Sequence, residues 1–320
     1  MNTTQTAERA IEPDEPHWLS RSAFQIVVIL FFLTQTALAA VLQNGASLWF
    51  AVPLVLLCGH LMHGGGVAFH EASHGFLRRN RLANEVDGVI IGLMSFMSFS
   101  LYRAAHQLHH MHLATERDEE LWPFVHPQKP RWVRILAAFL ELTFGLLFLP
   151  ALFLRIFLRA GSPIRSRKVR RRIWMELALM VVVWTGIGMA IAHWHVGRYF
   201  LWLYVLPAFV AGNLQSWRKY IEHVGLTGST VNSSTRSIVA LGLSGKLVAF
   251  TLLHEPYHGV HHLHVGLPHA ELPRRASELM PQTADEIHPF ANYRRATVHL
   301  LRSLADPRVG AQWRTTPRQP

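Results

Sequence analysis

The run His106-Gln107-Leu108-His109-His110-Met111-His112 places four imidazoles within seven residues. On a helix, positions three and four apart share a face, so His106, His109 and His110 point into a common space and His112 turns away. Neutral imidazole is a preferred ligand of iron, copper, zinc and nickel. The spacing recurs on either side of this run. His70 and His74 stand four apart in His-Glu-Ala-Ser-His, and His258, His261 and His262 lie in His-Gly-Val-His-His. Three such clusters predict a fold that gathers distant segments around a metal centre that none of them could hold alone.

Composition sets the solvent. Half the residues are hydrophobic and 16 % are charged, where soluble domains carry about 25 %. This is the balance of a membrane protein. The net charge is +11; in a membrane protein Lys and Arg mark cytoplasmic loops, so the charge reports topology. No RNA-binding motif or aromatic-interleaved basic patch is present, and no nucleic-acid partner is expected. The single Cys58 excludes a disulfide framework and argues against a thiolate metal site.

A spanning helix needs about 20 apolar residues. Four runs meet this: Ser22 to about Gln43, Leu48 to about Phe69, Ile173 to about His193, and Tyr199 to about Trp217. Arg78, Arg79 and Arg81, and the basic stretch from Arg165 to Arg172, assign the cytoplasm by the positive-inside rule. Val86–Leu101 and Ile238–Leu253 are short for a span and read as interfacial or packed helices. Ile135–Leu158 is long enough, but arginines flank both ends and Glu141, Gly145 and Pro150 interrupt it, which predicts a re-entrant or surface-lying hairpin. The expected fold is all-α: a four-helix transmembrane bundle with interfacial or re-entrant helices and a cytoplasmic His-rich di-metal cap. Residues 1–20 are expected as a flexible cytoplasmic tail, 21–275 as the membrane domain, and 276–320 as a cytoplasmic tail with one helix near Tyr293–Leu304.

His-Glu-Xaa-Xaa-His at 70–74 is also the zincin pattern, with two zinc ligands and a glutamate base, as in an intramembrane protease. A hydrolytic zinc needs only three protein ligands, which leaves the other two clusters without a task. In a shared centre Glu71 instead orients a ligand. His223 follows the fourth run by a few residues, surfaces at the depth of the three clusters and adjoins Glu222, so it is expected as a further ligand with Glu222 in support. His254 lies just outside a helix expected to start near Pro256. His63 shares the face of His70 but lies deeper in the membrane. The roles of His60, His63, His112, His254, His264 and His269 stay open.

With these motifs in place, the chain resembles the membrane fatty acid desaturase superfamily, the three-histidine-box di-iron oxidases of membranes. The resemblance rests on the boxes at 70–74, 106–110 and 258–262, a short gap between the first two, two spans before the third, the acidic stretch Glu116, Asp118, Glu119 and Glu120, and Leu263–Pro268. It covers roughly residues 45–275. It implies that His70, His74, His106, His109, His110, His258, His261 and His262 ligate two iron ions, with His223 completing the set. It also implies O2 as co-substrate, an acyl or other apolar substrate in membrane lipid, an external electron donor of ferredoxin, rubredoxin or cytochrome b5 type, and a bacterial-type inner membrane. Lys219 stands where stearoyl-CoA-type members have asparagine, and Glu71 where many have aspartate; both bear on the substrate subclass. Desaturation is the first expectation, and hydroxylation, as in carotenoid or alkane hydroxylases of similar pattern, the second.

Overall fold

In a computed structural model, residues 17–45 and 47–315 are described; most of the expected tail 1–20 lies outside them. Ten helices organise the described chain: α1 (Ala23–Gln43), α2 (Leu48–His74), α3 (Arg81–Met94), α4 (Phe99–Met111), α5 (Arg131–Leu158), α6 (Arg167–Trp194), α7 (Leu206–His223), α8 (Gly242–Thr251), α9 (His258–Leu263) and α10 (Tyr293–Leu301). Shorter helical turns connect them. Among the described residues, the only β-type pairing is an isolated bridge between Ile238 and Phe290.

Four of these helices, α1, α2, α5 and α6, are long and apolar enough to cross a bilayer. Three match expected spans. The fourth expected span, around Tyr199–Trp217, is helical, but a π-helical turn at Leu201–Val205 interrupts it and Arg218, Lys219 and Glu222 enter its last turns. The expected hairpin at 135–158 is instead one helix, kinked at Phe144 (φ −126°, ψ 39°). Glu141, the charge that argued against a span, is fully buried. It pairs with Lys219 and accepts from the Tyr220 hydroxyl at 3.1 Å, so its charge meets partners rather than lipid. The Val86–Leu101 stretch forms a bent pair, α3 meeting α4 at 100°.

The chain divides into two units. The apolar unit comprises residues 22–104 and 143–215. Leu38 and Leu42 of α1 pack there with Ala51, Val55 and Cys58 of α2. The outward faces stay greasy: Val181 and Val182 of α6 are 66 % and 68 % exposed. An apolar helix face left uncovered among the described residues fits lipid as its solvent. The kink in α5 frees the Gly145 N–H, which donates to Asn213 Oδ1 of α7 at 2.9 Å. A Cβ on Gly212 would lie 2.5 Å from Leu146 N, so this crossing requires glycine.

The histidine unit comprises residues 105–142 and 216–315 with the short helix His17–Arg21. The described part of the expected C-terminal tail packs within it: Gly310 N donates to Leu226 O at 2.8 Å and Trp313 Nε1 to Phe124 O at 2.8 Å. Helices α4, α5 and α7 each run from one unit into the other.

One buried carboxylate organises the start of α4. Glu176 of α6 accepts from Ser98 Oγ at 2.7 Å and from the Ser100 N–H at 2.8 Å, and also from Ser100 Oγ and Arg172 Nε. The free N–H groups and positive dipole end of α4 thus meet a negative charge. Glu176→Ala removes the acceptor from a buried network at a cost of about 3 kcal/mol. The expected outcome is a melting temperature in detergent several degrees below the parent protein, measured by intrinsic fluorescence.

Candidate metal centre

Each cluster sits where a helix ends or begins. In the histidine unit, α4 delivers His106, His109 and His110, α7 ends on His223, and α9 opens on His258. Before α9, Leu253 and His254 adopt left-handed backbone (φ 49° and 56°). This turn lets the six-residue helix begin at His258, two residues past Pro256.

The imidazoles converge through Nε2. His110 Nε2 lies 3.0 Å from His106 Nε2 and 3.1 Å from His261 Nε2. His258 Nε2 lies 2.9 Å from His223 Nε2 and 3.0 Å from His262 Nε2. The donor atoms of His106, His110 and His261 fall within 4.8 Å of one another, as do those of His109, His223 and His262. Both sets could hold a metal ion.

The opposite ring nitrogens explain why Nε2 is left to converge. His109 Nδ1 faces Asp118 at 2.9 Å, His106 Nδ1 faces Glu120 at 3.0 Å, and His258 Nδ1 faces Glu255 at 2.9 Å. His223 Nδ1 faces the Ser234 carbonyl at 3.3 Å. An acceptor at Nδ1 fixes the proton there; burial opposes a charge on His109, but the Asp118 and Glu120 carboxylates raise it to about 9, so its Nε2 lone pair is freed when a metal displaces the second proton. Lone pairs about 3 Å apart repel unless a proton or a metal cation lies between them. Burial holds His223 and His262 well below the usual imidazole range, with neighbouring histidines adding to the effect. They therefore stay neutral at physiological pH. The arrangement matches the carboxylate–histidine–metal pattern, and the donor set fits a metal.

Asp118, Glu120, Glu255 and the Ser234 carbonyl were not singled out from sequence. The signal was partly visible: Glu255 stands three before His258, and Asp118 and Glu120 belong to the acidic stretch after the second box. Glu222 gathers with His223 and His258 in a third group whose donor atoms lie within 4.8 Å of one another. It accepts two bonds from Arg218 at 2.8 and 2.9 Å and lies 3.8 Å from His258 Nδ1. Arg218 also donates to Glu255 at 3.1 Å, so one guanidinium balances two buried carboxylates. Lys219 pairs with Glu141, and its Nζ reaches Glu120 O at 3.5 Å.

The first box belongs to the apolar unit. His70 and His74 close α2 with ring centroids 4.9 Å apart, and Glu71 on the same turn is buried. Gly75 ends the helix in the left-handed region (φ 87°), its N–H donating to Ala72 O at 3.0 Å. That backbone strongly favours glycine. None of the six histidines left open joins a metal-competent group among the described residues. His264 pairs with Glu278 on the surface, and His254 stacks 6.1 Å from His269.

The family model for fatty acid desaturase matches residues 47–294, a stretch containing all three boxes and His223. No curated protein matches the chain.

Two outcomes are expected. Asp118→Ala weakens Co2+ binding by the metal-free protein about 10–100-fold, measured by optical titration. Burial lowers His254 to about 4 and His269 to about 3, below the ordinary value of about 6.5. Their contribution to stability is therefore complete above pH 6.5 and lost as pH falls toward those values. The melting temperature of metal-free protein should drop across this window, and drop less steeply in a His254→Leu/His269→Leu protein.

Proposed function

Because the chain belongs to the fatty acid desaturase family, we propose an oxygen-dependent di-iron oxidoreductase that removes two hydrogens from neighbouring carbons of an acyl or other lipid-like chain. The observation that carries this reading is the inward-facing Nε2 set with Nδ1 held by carboxylates. Held by such imidazoles, iron would supply the oxygen activation needed to break an unactivated C–H bond.

His109, His223, His258 and His262 form one ligand set in this proposal. His106, His110 and His261 form the other, which His70 and His74 of the first box complete. The family match, which spans all three boxes, supports the last assignment. Asp118, Glu120 and Glu255 fix the tautomers and supply negative charge that neutral imidazoles lack. Glu71, buried beside His70, orients that ring. The zincin alternative concerns residues 70–74 alone, whereas the family match spans all three boxes.

The arginines after α2 and before α6 support a reading in which the boxes and both termini face the cytoplasm, and the boxes at helix ends suit a substrate drawn from the bilayer. Each turnover consumes one O2, two electrons and two protons and releases two waters. The electrons come from an external ferredoxin, rubredoxin or cytochrome b5-type donor, which the basic cytoplasmic face would steer if acidic.

Purified protein is expected to hold a pair of irons, and His109→Ala and His261→Ala to lose iron and activity together. Mass spectrometry of lipids from an expressing host should show products lighter by two hydrogens. A gain of one oxygen would assign hydroxylation instead, and iron-free protein with full activity would overturn the reading.

A further inference from the structure

Arg103 of α4 lies three residues before His106 and outside both proposed ligand sets. Its Nε donates to Ser73 O at 3.2 Å and its Nη2 to Ala72 O at 3.4 Å. These are the carbonyls immediately before His74, at the C-terminal end of α2. The guanidinium also pairs with Glu85 of α3 and lies 4.2 Å over the Phe99 ring. Glu85 is shared with Arg172 of α6, and Arg172 with Glu176, the residue that meets the start of α4. From α3, Asn84 Nδ2 adds a 2.9 Å bond to Ala72 O.

A helix C-terminus carries orphan carbonyls and a partial negative charge. Arginine answers both with a rigid planar fork of donors, which lysine lacks. The first box needs such support, because it offers two imidazoles on the last turn of a helix, where fraying is easiest. Arg103 binds that turn from a helix that reaches His106 within one further turn.

On the functional reading above, we propose that Arg103 is a positioning residue: it fixes the histidines of the first box by holding the last carbonyls of α2. One of the two irons, the one completed by His70 and His74, then depends on Arg103 although Arg103 touches no metal.

Iron per chain, Mössbauer spectra and melting temperature of purified protein test this. Arg103→Gln should lose the iron of the first set and keep that of His109, His223, His258 and His262, leaving a single-site spectrum. Arg78→Gln is the control: Arg78 also makes an ion pair in the apolar unit, with Asp87, but makes no side-chain bond to the end of α2, and its loss should leave iron content unchanged. Wild-type iron content in Arg103→Gln would overturn the proposal. So would loss of both irons in step with melting temperature, which marks a merely structural role. If Arg103→Gln does not fold, Arg103→Lys decides: partial iron loss supports the fork, and full iron overturns it. Iron-free wild-type protein would overturn the functional reading and this proposal together, whereas a full pair in both wild type and Arg103→Gln overturns only the role of Arg103.

Discussion

An imidazole has two nitrogens, and this site depends on what the outer one does. Where Nδ1 donates to Asp118, Glu120 or Glu255, the ring can neither flip nor switch tautomer without losing a buried charge-assisted bond. The inner nitrogens then face one another at about 3 Å. With neither a proton nor a cation between them this is an unfavourable arrangement, and with a metal cation it is a preorganised ligand set. The carboxylates thus set ring orientation, ligand basicity and local charge at once.

That device needs rigid support, and helix ends provide it. His223 terminates α7 and His74 terminates α2. Buried Arg236 donates to the carbonyls of Ile221 at 2.9 Å and Val224 at 2.7 Å. Arg103 does the same for the end of α2. Two separate arginines thus satisfy the carbonyls that α-helices leave unpaired, in each case beside a histidine. Membrane-length helices arrive stiff and hydrogen-bonded, and the polar chemistry begins where their ladders run out.

Much of the site was legible in one dimension because its ligands obey local periodicity. Three and four residues apart means one helical face, so the boxes announced themselves, and the resemblance they carried proved to be family membership. The supporting carboxylates were harder to see. Asp118 reaches back nine residues to His109 and Glu120 fourteen to His106, across a turn that no periodic rule describes. Arg218 and Glu255 are 37 residues apart. Glu141 is the instructive misreading: judged alone it spoke against a membrane helix, and only its pairing with Lys219 and Tyr220 removes that objection.

What the sequence by itself determined is the all-helical class, the membrane setting and which imidazoles share a helical face, because helical periodicity, apolar run length and histidine spacing are properties of consecutive residues. Tertiary structure alone decided that residues 131–158 form one kinked helix, that Arg218 joins Glu222 to Glu255, and which oxygen faces Nδ1 of His106, His109, His223 and His258. Those outcomes turn on whether a buried charge finds its partner. Such partners come from residues far apart in the chain, whose distances are defined only once the helices have packed.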